Sequence, residues 1–187
     1  DVYNGRTYPD TISTHRSSFD THGFTVDPYF ALKPPAHSGV DVTAYVPLRA
    51  LLPKGLDGII VTGLGASAHR DAMPVIRMQP CLQNQGYAVG IAAAMVAAEN
   101  QLIRDLNIKK LQQKLLAIGS ITPEVIGHTD NFPPSDESIR LAAKQVTNNL
   151  DGLETVLWDL NHGLPVLSDF YRIALSDDDK LVYARIL

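Results

Sequence analysis

The chain has 187 residues, 45% of them apolar and 19% charged, with a formal net charge of −4. That is an ordinary globular composition with room for one good core or two small ones. The negative balance argues against general attraction to nucleic acid or to an anionic membrane surface, and the single cysteine, Cys81, excludes an intrachain disulfide without fixing the compartment.

The opening Asp1-Val2-Tyr3-Asn4-Gly5 has neither the basic nor the apolar region of a signal peptide, and no initiator Met; the sequence reads as a piece of a longer chain. Spanning a bilayer as a helix takes about 18 apolar residues or more, and the nearest approach, residues 86–98, is short and rich in Ala and Gly. Charge is unevenly spread. Residues 1–120 carry 11 basic and 9 acidic side chains, whereas residues 121–187 carry 5 and 11, a shift that suggests two segments with different roles.

Residues 1–40 are turn-rich, punctuated by Gly5, Pro9, Gly23, Pro28, Pro34, Pro35 and Gly39, with short β-prone runs such as Phe24-Thr25-Val26 between them. His15, His22 and His37 fall here. His22 follows Asp20 by two residues, so a carboxylate could orient its imidazole for acid/base work, or Asp20 could simply hold a turn. Residues 41–49 alternate apolar and polar and meet Pro47, the pattern of a strand ending in an extended step. A tight turn at Leu51–Gly55 follows, then an apolar run, residues 58–62, that reads as a second strand ending on Thr62-Gly63-Leu64-Gly65.

Pro80 to Asn100 reads as one helix about 30 Å long, with Gln79 as its cap and Pro80 in the first helical position. Gly86 and Gly90 share one face, continued by Ala93, Ala94 and Ala97. Each glycine costs about 1 kcal/mol against alanine in a helix, so the pair calls for close approach of another backbone or a flat ligand, or for tight packing on a sheet. Residues 106–118 form a second helix with Leu111, Leu115 and Ile118 on one side and Gly119 past its end. Lys109, Lys110 and Lys114 on this helix read as a solvated face. A loop with Pro123, Gly127, Pro133 and Pro134 follows. Beyond it, short amphipathic helices are expected from Ser135, over Asp151–Asn161, from Pro165 and from Asp177, in the manner of a helical-repeat layer.

Several chemistries are disfavoured. Gly63-x-Gly65-x-x-Ala68 imitates a dinucleotide fingerprint, but Pro74 follows where a helix should already run, and the acidic residue about 20 positions on is absent. Gly65-Ala66-Ser67-Ala68-His69 lacks the second glycine of a nucleophile elbow, and Ser67, His69 and Asp71 are too close in sequence to form a triad. The histidines have no metal-ligand spacing, there is no phosphate-binding Walker loop, and no two-carboxylate glycosidase pair is visible.

Residues 46–63 (VPLRALLPKGLDGIIVTG), then Ser67-Ala68-His69, Ile76-Arg77-Met78 and Gly86-x-Ala88-x-Gly90-x-Ala92-Ala93, resemble the C-terminal part of bacterial FAD-dependent oxidoreductases of the glutathione-reductase type in the broad sense. The similarity covers roughly residues 8–120, and Asp20-Thr21-His22-Gly23 looks like a further family element. In such proteins the FAD domain is split: the fingerprint half comes first, and after the substrate domain a strand, loop and Ala-rich helix complete it. The resemblance implies an α/β fold, closing a two-domain FAD-binding architecture, followed by an α-helical, HEAT-like segment. Its parts would be residues 1–56 as the end of the substrate domain, 57–120 as the C-terminal half of the FAD domain, 121–134 as a linker and 135–187 as a helical extension.

The same resemblance implies Gly63, Ser67, Arg77, Gly86 and Gly90 as cofactor-binding residues, His22 or His69 as the acid/base residue, a small organic substrate, and the remainder of the parent chain as partner. No metal is expected. Leu64 stands where the family usually has Arg, and Tyr87 where Gln is common, so contacts there would come from backbone. Without the fingerprint half, these residues alone are expected to be inactive and not to hold FAD stably. The alternative expectation is a cofactor-free binding module of degenerate flavoprotein type, with polysaccharide metabolism as one setting.

Overall fold

The structure, a computed structural model, describes residues 1–2, 4–18, 20, 41–162 and 166. The described residues fall into two compact units, residues 1–20 with 41–131 and residues 132–166.

The first unit is built on one antiparallel pair. Strand β1 (Thr11–Ser17) runs beside β2 (Val42–Pro47), with His15 opposite Ala44. The backbone then turns through a 3-10 segment, Leu48–Leu51. A short helix α1 (Met73–Ile76), the long helix α2 (Gln79–Glu99) and helix α3 (Ile108–Ala117) all pack on β1. β1 is therefore enclosed: Ile12 is fully buried, as are Val75 of α1, Ala88 and Ala92 of α2, and Leu111 and Leu115 of α3. Each fully buried Leu or Ile contributes about 1.5–3 kcal/mol against exposure. Gln112 of α3 donates from Nε2 to the carbonyls of Pro9 (3.0 Å) and Thr11 (2.9 Å), satisfying main-chain acceptors at the start of β1.

Helix ends follow the local chemistry. Asn107 caps α3 by accepting from the Lys110 N–H at 3.0 Å. Gly119, at φ +72°, closes it with Gly119 N–H to Leu116 and Ser120 N–H to Leu115. The cap of α2 is Met78 rather than Gln79, so Pro80 sits one residue deeper than the sequence suggests, still within the first turn where its missing N–H costs nothing.

Three expectations are corrected. β1 lies in a stretch that reads as turns, because its Thr, Ser and His side chains hide the alternation. α1 forms despite Pro74, which occupies its first turn. The expected strand at residues 58–62 joins no ladder among the described residues: Gly58 turns at φ +73°, Val61 N–H reaches Leu51 O at 2.8 Å, and Ile59 stays 48% exposed. A strand needs a neighbouring backbone to satisfy its polar groups, and β1–β2 is the one ladder among the described residues.

Residues 121–131 fold into the first unit. Ile121 and Val125 are buried, the latter in a 3-10 segment, Pro123–Gly127, and His128 sets its ring edge-on to Tyr45 at 4.5 Å.

The second unit contains α4 (Asp136–Asn149) and α5 (Leu153–Asn161). Ser135 caps α4 by accepting from the Ser138 N–H at 3.1 Å, as expected, with Asp136 and Glu137 in the first turn where negative charge suits the helix dipole. Ile139, Ala142, Ala143 and Val146 of α4 are buried, as are Leu153, Val156 and Leu157 of α5. Gly152, at φ +77°, makes the turn, and a Cβ there would lie 2.8 Å from the Ala142 Cβ. The helices expected from Pro165 and Asp177 lie outside the described residues.

Candidate functional site

The loop between β2 and α2 is held from three sides. Arg104 clasps its start, with Nε on Asp57 Oδ1 at 3.1 Å and NH2 on the carbonyls of Leu56 (3.1 Å) and Pro53. Val61 N–H reaches Leu51, and Ser67 N–H reaches Ala50 O at 2.8 Å. Buried Ala66 pins the middle.

Within this frame Gly63 adopts φ +67°, a conformation that a side chain resists, and its Cα faces Leu82 in the first turn of α2. Gly65 is required for space instead: a Cβ would fall 2.5 Å from Val61 Cγ1. Leu64 between them is 73% exposed. The structure thus sets a glycine turn against the start of a 21-residue helix whose first turn no side chain caps. Such a terminus offers backbone N–H groups and the positive end of a helix dipole.

Ser67 and His69 are exposed on the loop. His69 Nδ1 accepts from the Asp71 N–H at 3.2 Å, which leaves Nε2 as the ring nitrogen that carries a proton in the neutral form. Arg77, between α1 and α2, donates from NH2 to the Asp20 carbonyl at 2.9 Å and lies 3.5 Å from its carboxylate. Arg77 is thereby tied to the start of the Asp20-Thr21-His22-Gly23 element. His22 itself, proposed from the sequence as acid/base residue, lies outside the described residues.

Gly86 and Gly90 face outward on α2, with nothing within 4 Å of either Cβ position. The helix packs on β1 through its other side, Cys81, Gln85, Ala88, Ala92 and Met95. The close approach that the two glycines call for is therefore not made among the described residues of this unit.

A polar layer lies under α2 that the sequence does not announce. Asn84 joins Ser13 and Ser120, and Gln85 joins His15 and the Ile76 carbonyl. His15 is only 3% exposed, and burial holds its imidazole down to about 4. The one legible signal is the two-residue spacing of Thr11, Ser13 and His15, which puts three polar groups on one face of a strand. Thr11 uses its hydroxyl locally, on the Tyr8 carbonyl, whereas the α2 partners of Ser13 and His15 lie 71 and 70 residues away.

No group of three or more His, Cys, Asp or Glu suited to a metal ion occurs among the described residues, and no described helix is long and apolar enough to cross a membrane. A family model described as FAD dependent oxidoreductase matches residues 1–115. That span takes in β1, β2, the glycine loop, α2 and most of α3. No curated protein and no solved structure matches the chain.

Proposed function

The chain belongs to the FAD-dependent oxidoreductase family, and on that premise we propose that it is the C-terminal part of a bacterial flavoenzyme of glutathione-reductase type acting on a small organic substrate. The observation that carries this reading is the family match over residues 1–115. Residues 1–56 would end the substrate domain and 57–120 would complete a split FAD domain. Residues 121–134, of which 121–131 fold into the first unit, would lead on to a helical, HEAT-like extension at 135–187.

The backbone of the site suits a flavin cofactor. Gly63, held at φ +67° against Leu82, exposes main chain at the uncapped start of α2. When bound, FAD would supply hydride transfer. The chain's own part is to hold and polarise it: N–H groups of the loop and of α2 would favour negative charge, and Ser67 would offer a hydroxyl. Arg77 would place a cation at the entry to the helix, turned toward Asp20 as it stands. His69 would exchange a proton through Nε2. The open face of Gly86 and Gly90 would receive the remainder of the parent chain, closing the approach that is unmade here.

Leu64 favours a second reading. It stands exposed where the family usually carries Arg, and a site without that side chain suits a cofactor-free binding module. Colour separates the two: the full-length parent protein purifies yellow with stoichiometric flavin under the first reading. A colourless, folded full-length protein sinks it. Under either reading the 187 residues mixed with FAD give no stoichiometric, perturbed flavin spectrum.

A further inference from the structure

The polar layer beneath α2 has only one consistent arrangement of protons. Gln85 Nε2 lies 3.0 Å from the Ile76 carbonyl, which can only accept, so the amide nitrogen must point there. The same nitrogen lies 3.2 Å from His15 Nε2 and donates its second hydrogen to it. Asn84 is oriented in the same way by Ser120, whose carbonyl accepts from Nδ2 at 3.1 Å and whose hydroxyl donates to Oδ1 at 2.5 Å. Asn84 Nδ2 also donates to Ser13 Oγ at 3.1 Å, which leaves the Ser13 hydroxyl to donate to His15 Nε2, also at 3.1 Å. Two donors thus converge on Nε2. The ring is neutral and carries its proton on Nδ1. Gln85 Oε1, in a side chain with no exposed surface, has no hydrogen-bond partner among the described residues.

We propose that His15 and Gln85 form a proton-operated latch: a proton taken up at His15 Nε2 turns the Gln85 amide over and frees the Ile76 carbonyl. A protonated Nε2 is a donor and cannot face the amide NH2. Rotation brings Oε1, the orphaned acceptor, to the ring and takes Nε2 of Gln85 away from Ile76. Ile76 ends α1, and the connection it opens into α2 carries Arg77. The latch thus joins the protonation of β1 to the position of the α1–α2 connection, whether or not the site binds a flavin.

The titratable and charged groups on the elements around the ring are Arg16 of β1, Tyr45 of β2, Cys81, Tyr87 and Glu99 of α2, and Lys109, Lys110 and Lys114 of α3; α1 carries none. Arg16, Tyr87, Glu99 and the three lysines are exposed. Ala44 stands opposite His15 on β2. Burial alone lowers the imidazole, so the latch is closed at neutral pH and opens in acid.

Imidazole and amide resonances of the isotopically labelled 187-residue chain, followed from pH 7 to pH 3.5, test this. The expected result is the Nδ1–H tautomer at pH 7, then shifts of the Gln85 side-chain amide and the Arg77 and Met78 backbone amides with the midpoint of His15. Gln85→Met, which keeps length and removes the amide, abolishes the backbone shifts while His15 still titrates. An Nε2–H tautomer at pH 7 overturns the proposal, as do backbone shifts with another midpoint or persisting in Gln85→Met. Global loss of dispersion at that midpoint overturns it too, because no local latch then exists.

Discussion

Arg6 grips Asp130 with both arms of its guanidinium, Nε to Oδ1 at 3.0 Å and NH2 to Oδ2 at 3.1 Å. The pair joins positions 124 residues apart. Thr7 reinforces it, bonding Asn131 through its N–H (2.9 Å) and the Thr129 carbonyl through its hydroxyl (2.7 Å). Arg49 reaches the same carboxylate at 3.4 Å, and the Tyr8 ring lies 5.0 Å from Arg6 and 5.2 Å from Arg49. The family match ends at residue 115, yet this clasp ties the start of the chain to residues 129–131, so the folded unit outlasts the matched span.

Asp130→Ala should therefore destabilise the first unit by about 1–2 kcal/mol, since it removes the two-armed partner of a half-buried guanidinium and leaves it Asp1, at 3.0 Å from NH1. Urea unfolding followed by far-UV circular dichroism measures it. Arg6→Lys should lose most of the same stability, because an ammonium cannot reproduce the fork. An unchanged midpoint in both variants would show that the clasp contributes nothing.

Gly152→Ala should destabilise the second unit by about 2–3 kcal/mol. The new methyl would lie 2.8 Å from Ala142 Cβ and 2.9 Å from its Cα, at φ +77° where side chains are strained. Gly127→Ala is the control, with nothing within 4 Å and no positive φ, and should shift the melt by less than about 0.5 kcal/mol.

Gly86→Ala and Gly90→Ala should each stabilise this chain by up to about 1 kcal/mol, since both glycines lie inside a helix with open space around them. On the proposed reading of a longer parent flavoprotein, the same changes there should lower flavin retention if that face receives the rest of the FAD domain. Thermal melts of the chain and the flavin absorbance of the parent protein read the two effects separately. Destabilisation of the chain by either change would mean that the face is already covered.

His15 makes stability depend on pH. Its folded value is about 4, below the unfolded value of about 6.5. Between these the unfolded chain binds the extra proton, so stability rises with pH. The contribution is complete above about pH 6.5 and is lost as pH falls toward 4, by at most about 3 kcal/mol. Urea midpoints at pH 7, 5.5 and 4 should fall in that order. His15→Asn should flatten the trend, and an equally steep trend in that variant would assign it to other groups.

Cys81 is buried, and burial pushes its thiol up. Alkylation by iodoacetamide at pH 7.5 should be about 100-fold slower in the folded chain than in urea. A comparable rate in both states would show that the N-terminal turn of α2 opens readily.

The sequence by itself determined the helices with local signals: Ser135 as a cap, Gly119 as a stop, and the Leu and Ile spacing of α3 and α4. These depend on contacts three or four residues apart, which one stretch of chain contains. It also determined the order of motifs, from Val46 to Ala93, on which the family resemblance rests. Tertiary structure alone decided the rest. Residues 58–62 have the composition of a strand but join no ladder among the described residues, and pairing is a property of two segments. β1 is hidden in a polar-looking stretch because Ser13 and His15 are buried by partners on α2. Gly63 takes its meaning from Leu82, which no spacing rule connects to it. Whether Gly86 and Gly90 are a cost or a contact depends on what lies against them, and only an assembled structure can place a second surface there.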